Sequence, residues 1–288
     1  MYSRLLVCLD GSPLAEQVLP YAIQVSRGLN VPIELLVVVN NQPPFVDSYF
    51  TTFSTATYLE EAMKAVREQA RDYLRKTVKQ LKAKKLTVTS SRLEGYPAEQ
   101  ILKEAAAKKD TMIAITTHGR SGLGRTLFGS VADKVLREST SPVLLVRASD
   151  DASQPADRAI ETLVVPLDGS PLAERILPHV TALANGLSLD VTLMMTLIAT
   201  LEPAPGQKAG KEPEEAYIKQ IRQAAADYLK GAAGRVRKAG VEKVDERIGF
   251  GPAAGLITQQ ADETKGSLIA MTTHGRSGVE RWWFGSVA

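Results

Sequence analysis

Cysteine is nearly absent from this chain of 288 residues. Cys8 is the only one, so no disulfide can form within one chain. It lies inside an apolar run, where a thiol behaves as a small buried hydrophobe. Aromatic side chains make up only 6% of the sequence, which argues against a base-stacking surface. Neither sign of charge dominates: 35 basic residues face 32 acidic ones, for a net +3. Such a balance gives no field that would draw nucleic acid. Three histidines and one cysteine supply no metal cluster. No apolar run approaches the ~20 residues that a membrane-spanning helix takes. Met1 to Leu5 passes at once into a strand-like run, with no signal-peptide core. These absences lead to the expectation of a cytoplasmic protein that binds neither nucleic acid nor membrane.

With 44% hydrophobic and 23% charged residues, the composition is that of a folded globular protein. The length suggests about two domains, and the sequence repeats itself accordingly. Leu9-Asp10-Gly11-Ser12-Pro13-Leu14-Ala15-Glu16 recurs letter for letter as Leu167 to Glu174. Thr116 to Gly122 recurs as Thr272 to Gly278, and Phe128 to Ala132 as Phe284 to Ala288. The offset is 158 residues at the first block and 156 at the second. A period this long marks duplicated domains rather than a solenoid. The expected boundaries are 1–147 for the first domain, 148–158 for a polar linker and 159–288 for the second. The second copy stops at Ala288 and is expected to lack the last helix and strand of the first.

Within one copy, strands alternate with helices. Arg4 to Leu9 reads as a strand, and Ser12 as the N-cap of a helix with Pro13 at its first position. That helix is expected to kink at Pro20 and stop at Gly28. Ile33 to Val39 is a continuous apolar run, the pattern of a parallel strand buried on both faces. A loop over Asn41 to Ser54 leads to a long helix from about Thr57 to Ala83. Leu86 to Leu93 is a third strand, Pro97 to Lys108 a helix, Thr111 to Ile115 a fourth strand, Ser130 to Glu138 a helix and Val143 to Val146 a fifth strand. The pattern predicts an α/β fold: two tandem doubly wound domains, each with a five-stranded parallel sheet of order 3-2-1-4-5 and helices on both faces. The strand order reverses between strands 1 and 4, and ligands bind at the carboxyl ends there. Asp10-Gly11-Ser12 follows strand 1 and Thr116 to Gly122 follows strand 4, so the repeated blocks flank one crevice.

The glycines Gly119, Gly122 and Gly129 precede a helix starting near Ser130. Glycine lets a backbone come close to a ligand, and a helix N-terminus offers free N–H groups to an anion. Ser130 is placed to cap that helix or to donate to a phosphate. Asp10 is placed to accept from ribose hydroxyls. A plain tight turn with its cap is the competing reading of both. Gly119 to Thr126 falls short of a phosphate-binding lysine loop because Arg125 stands where the lysine belongs, and the second copy lacks the pattern. Asp10, His118 and Ser130 do not make a hydrolytic triad, since no nucleophile elbow surrounds the serine. The Lys76 to Lys85 run reads as a solvated face.

Strand-Asp-x-Ser, Gly95-Tyr96-Pro97 before the third helix, and His-Gly with nine residues before Gly-Ser together resemble the universal stress protein family. Members that bind ATP carry G-x2-G-x9-G-[S/T]. Gly119 with Gly129-Ser130 resembles it, as does Gly275 with Gly285-Ser286; the first glycine is replaced by Thr116 and Thr272. The second Gly-x-Pro is displaced, as Gly249-Phe250-Gly251-Pro252. The resemblance implies that Cys8, Leu9, Asp10 and Val38 face adenine and ribose, and that Thr116, Gly119, Arg120, Gly129 and Ser130 hold phosphates. In the second copy it implies Pro166, Leu167, Asp168, Thr196, Thr272, Gly275, Arg276, Gly285 and Ser286. The implied ligand is ATP, or ADP or AMP, with Mg2+ as its counter-ion. The implied role is a regulatory or signalling module with no dedicated general base. The alternatives are a protein-interaction module without nucleotide and a slow nucleotide hydrolase. The implied partners are an unidentified protein and the second domain as a pseudo-dimer, with homo-oligomers through the fifth-strand edge.

Overall fold

The structure is a computed structural model that describes residues 1–40, 53–118, 129–149, 159–197 and 211–273. The chain divides into two compact units, Met1–Arg158 and Ala159–Ala288. In the first, β1 (Arg4–Leu9), β2 (Ile33–Val39), β3 (Val88–Glu94), β4 (Thr111–Thr116) and β5 (Val143–Val146) form one parallel sheet of order β3-β2-β1-β4-β5. In the second, β6 (Thr162–Pro166), β7 (Asp190–Leu197), β8 (Val244–Phe250) and β9 (Ser267–Ile269) form a parallel sheet of order β8-β7-β6-β9. The expected doubly wound order is present in both, and the second sheet is the shorter among the described residues.

Helices cover both faces because the central strands are apolar on both. Every residue of β1 and of β4 is buried. On one face Leu6, Cys8, Leu36, Ile113 and Ile115 pack against Ala98, Ile101 and Ala105 of α4 (Pro97–Ala107) and Ala132 and Val135 of α5 (Ser130–Glu138). The helices α1 (Pro13–Glu16), α2 (Leu19–Leu29) and α3 (Phe53–Ala83) complete the first unit, with α3 packed on β2 and β3. The second unit repeats the plan with a 3-10 turn (Ala173–Ile176), α6 (Leu177–Leu187), α7 (Lys211–Lys238) and α8 (Ala253–Glu263).

Ser12 caps α1 as expected: its side chain accepts from the Ala15 N–H, with Pro13 in the first turn. The Pro20 effect is stronger than a kink. The helix breaks outright into α1 and α2, and Pro20 stands in the first turn of α2, where no intrahelical N–H is needed. The expected stop at Gly28 is wrong. Gly28 lies inside α2, and Asn30 ends the helix in the left-handed conformation at φ 51°. Asparagine tolerates that region better than most residues. Ser188 ends α6 the same way, at φ 56°.

The displaced Gly-x-Pro resolves without a change in length: the proline stands one residue earlier, at the N-cap instead of the first helical position. Gly95 at φ 128° and Gly251 at φ 137° each follow the third strand of their unit. The N–H of Gly95 donates to Val39 O and that of Gly251 to Leu197 O, both at 3.0 Å. Gly251, not Gly249, therefore takes the place of Gly95. Pro97 opens α4, whereas Pro252 is already the N-cap of α8.

At the amino ends of the first sheet, Arg4 is 4% exposed and fully engaged. Its guanidinium donates to Glu34 at 2.6 Å, Glu104 at 2.9 Å and Thr111 Oγ1 at 3.0 Å, and also to the Glu104 carbonyl. Burial alone would lower its pKa; hydrogen bonds to Glu104 and Glu34 outweigh that and hold it above the ordinary arginine value. In the second unit the corresponding positions are Thr162, Thr192 and Gln260, which carry no charge. One unit thus has a buried ion cluster at this end, while the other has neutral side chains at those three positions and exposed ion pairs, Lys243 with Asp190 and Lys265 with Glu161, nearby.

Candidate functional site

At the opposite, carboxyl ends of the first sheet, β1 and β4 diverge and leave a cavity of about 480 Å³. One side of it is polar. The Asp10 carboxylate accepts from the Ser12 N–H at 2.9 Å, an arrangement that fixes it at the tip of β1. Gly11 between them is at φ 84°, a conformation open to glycine. The second unit repeats this turn: Asp168 accepts from the Ser170 N–H at 2.9 Å, with Gly169 at φ 81°.

The β4 side is tightly braced. Thr116 Oγ1 donates to the His118 carbonyl at 2.7 Å, and Thr117 Oγ1 accepts from the Ala148 N–H at 3.0 Å. His118 is buried, with Nδ1 3.2 Å from Thr117 Oγ1. The Gly129 N–H donates to Thr117 O at 2.7 Å. A Cβ at Gly129 would stand only 3.1 Å from that same carbonyl, so a larger residue would push α5 away from β4. Gly129, not Ser130, is the N-cap of α5, and no side chain caps the helix. This corrects the expectation that Ser130 caps it: Ser130 is the first helical residue, exposed at the cavity, and its hydroxyl keeps the alternative role of donor. Thr116 in place of a glycine costs nothing here. It is the last residue of an ordinary strand, its φ is not positive, and its hydroxyl is satisfied within the turn.

The rest of the wall is apolar. Cys8, Leu9 and Val38 line it, and so do Leu36, Ile101 and Ile115. Burial pushes the Cys8 thiol up to about 12. The thiolate is the reactive form, so Cys8 is expected to resist iodoacetamide at pH 8 in the folded chain and to react fully in denaturant. Fast labelling of the native protein would contradict this. The unfolded thiol ionises near its ordinary value of 9.0 and the folded one does not, so this group costs stability as pH rises above that value.

Not every expected residue can be placed. Gly119, Arg120, Gly275, Arg276, Gly285 and Ser286 lie outside the described residues. Of the described ones, Cys8, Leu9, Asp10, Val38, Thr116, Gly129 and Ser130 line one cavity. In the second unit Pro166 and Thr196 lie at the carboxyl ends of β6 and β7, Leu167 and Asp168 just beyond β6, and Thr272 just beyond β9. Sequence reasoning missed the lid: Met63, Val66 and Ala70 of α3 also face the cavity, as do Asn40 and His118. Their three- and four-residue spacing was a readable helical stripe.

A family model described as the universal stress protein family matches residues 1–147 and again 159–288. The chain belongs to that family. A universal stress protein of Mycolicibacterium smegmatis is 24% identical over 289 residues, covering 99% of this chain and 91% of that one. Universal stress protein YxiE of Bacillus subtilis is 27% identical over 149 residues, covering 51% of this chain and all of that relative. One relative therefore matches the whole tandem and the other a single copy. The crystal structure of a universal stress protein from Archaeoglobus fulgidus superposes with a TM-score of 0.59 at 19% identity, covering 90% of this chain and 83% of that one, a likeness of fold. As in other doubly wound sheets, the universal stress protein fold leaves its crevice at the reversal of strand order. Among the described residues no helix is long and apolar enough to cross a membrane, and no three His, Cys, Asp or Glu side chains cluster as metal ligands.

Proposed function

We propose that this universal stress protein binds an adenine nucleotide, ATP foremost, in the first unit and acts as a regulatory module through that binding. One observation carries the reading: a single cavity joins an apolar slot to a carboxylate and an uncapped helix N-terminus. Its volume of about 480 Å³ lies within the usual range for small-ligand sites. A planar base suits the slot between Val38, Ile115 and the α3 lid. Asp10 has acceptor capacity for ribose hydroxyls. The first N–H groups of α5, with the Ser130 hydroxyl, suit phosphate oxygens. Mg2+ would enter with the phosphates, since the protein side offers no ligand cluster of its own among the described residues. The same reading extends to the second unit through Asp168, with Thr196 giving a more polar base wall than Val38.

The test is calorimetric titration of ATP into the full chain and into the Asp10→Ala, Asp168→Ala double variant. The expected result is micromolar binding, weakened about tenfold or more in the variant by loss of charge-assisted hydrogen bonds. No heat from the intact chain with ATP, ADP or AMP would overturn the reading and leave the fold as a protein-interaction module. Release of phosphate on long incubation with Mg2+ would instead favour the slow hydrolase.

A further inference from the structure

Among the described residues, the hydroxyl oxygens of Tyr73 and Tyr228 are buried and make no hydrogen bond of ordinary geometry. The two tyrosines hold corresponding places. Each sits on the long helix of its unit in the same local sequence, Asp72-Tyr73-Leu74 and Asp227-Tyr228-Leu229. Each lies half-buried beside the same residue of the repeated block, Glu16 or Glu174, and within the field of the same aspartate, Asp10 or Asp168. Burial first, then the neighbouring glutamate, raises both phenols, that of Tyr228 to about 12.

A buried hydroxyl without a partner costs free energy. Phenylalanine would fill the same space without that cost, yet both copies keep the hydroxyl. A phenol can donate to a carboxylate, and a glutamate can only accept. Glu16 stands at the end of α1, whose N-cap Ser12 gives its N–H to Asp10. A pull on Glu16 therefore reaches Asp10 through one four-residue helix. In the second unit the Ser170 N–H likewise donates to Asp168, Glu174 lies in the 3-10 turn that follows, and Arg235 donates to Glu174 at 2.7 Å.

We propose that Tyr73 and Tyr228 are positioning residues: each, through Glu16 or Glu174, holds the turn that presents Asp10 or Asp168 to the ligand. The ligand part rests on the nucleotide reading above; the holding of the turn does not. The α3 lid and the acidic turn then keep one register, because Tyr73 lies one turn beyond Ala70 on the same helix.

Amide hydrogen exchange on the full chain tests this without nucleotide. Exchange at the Ser12 amide is expected to rise about tenfold in Tyr73→Phe and in Glu16→Gln, and no further in the double variant, with Ser170 unchanged. ATP affinity is expected to fall about fivefold in Tyr73→Phe. Wild-type exchange at Ser12 in Tyr73→Phe would overturn the proposal. So would effects that multiply in the double variant, or a rise spread evenly along α3 and β1, which marks a packing role alone. If the intact chain binds no nucleotide, the functional reading fails while the exchange at Ser12 still decides this one.

Discussion

Replacing Arg4 with alanine is expected to cost the first unit about 3 kcal/mol and to leave the second unit untouched. Arg4 is 4% exposed, and its partners Glu34 and Glu104 are 20% and 26% exposed. Removing one partner of a buried ion pair costs about 3–5 kcal/mol because the remaining charge stays in a poorly solvated place. Here two carboxylates are left facing each other, but both keep some water, which puts the cost at the lower end. The measurement is native-state hydrogen exchange. The slowest amides of β1, β2 and β4 should exchange roughly a hundredfold faster, while those of β6 and β7 keep their rates. The sharper half of the prediction is the rescue. Arg4→Thr, Glu34→Thr and Glu104→Gln together install the neutral set of the second unit, and should recover most of the loss. Removing all three charges together leaves no charge buried without its partner, and that unpaired charge is the main source of the loss in Arg4→Ala. If the triple variant were no better than Arg4→Ala, packing around the guanidinium stem rather than charge would be the cause.

The second large effect is expected at Gly266. A Cβ there would stand 2.6 Å from the Ala159 carbonyl and 2.9 Å from Glu161 Cγ, and the backbone is left-handed at φ 60°. Gly266→Ala should destabilise the second unit by about 2–3 kcal/mol, combining backbone strain with displacement of the strand leading into β6. The first unit separates the two causes. Asp110 holds the corresponding turn at φ 58°, and its carbonyl accepts from the Ser3 N–H as that of Gly266 does from Glu161, both at 2.8 Å. A side chain is thus tolerated at this φ when nothing crowds it. Asp110→Gly should change stability by less than about 1 kcal/mol. Urea melts of the two variants check both values. A mild Gly266→Ala would mean that the Ala159 segment moves aside freely.

The strands were legible because each signal is local. Continuous apolar runs mark β1, β2 and β4, and the alternation of strands with helices puts Asp10 after strand 1 and Thr116 at strand 4, on either side of the reversal in strand order. Ser12 with Pro13 announced a helix start by chemistry confined to four residues. What stayed hidden depends on partners distant in sequence. Arg4, Glu34 and Glu104 span a hundred residues, and nothing near Arg4 says that it is buried. Gly28 looked like a stop because glycine often ends helices; Asn30 won because it could take the left-handed position two residues later, after one more half-turn of packing. The α3 stripe of Met63, Val66 and Ala70 reads as a sheet-facing surface. Only the divergence of β1 and β4 turns it into a cavity wall. Ser130 was misplaced by one residue as a cap because the cap contributes backbone alone, and a glycine without a side chain leaves no capping signature.

The repeat offset also has a consequence for hybrids. It is 158 residues from β1 to β6 and from β2 to β7, and 156 from Gly95 to Gly251 onward. The missing two residues therefore fall between the second and third strands, in the stretch that contains the long helix, and no strand pairing shifts. The two copies are interchangeable halves at the level of backbone hydrogen bonding. A chain that crosses from one copy to the other just after the second strand would keep the register of every strand pair described in both copies. Such a crossing would part Arg4 and Glu34 from Glu104, and Asp10 and Val38 from Thr116 and Gly129, so each hybrid would build both its floor and its crevice from the two copies at once.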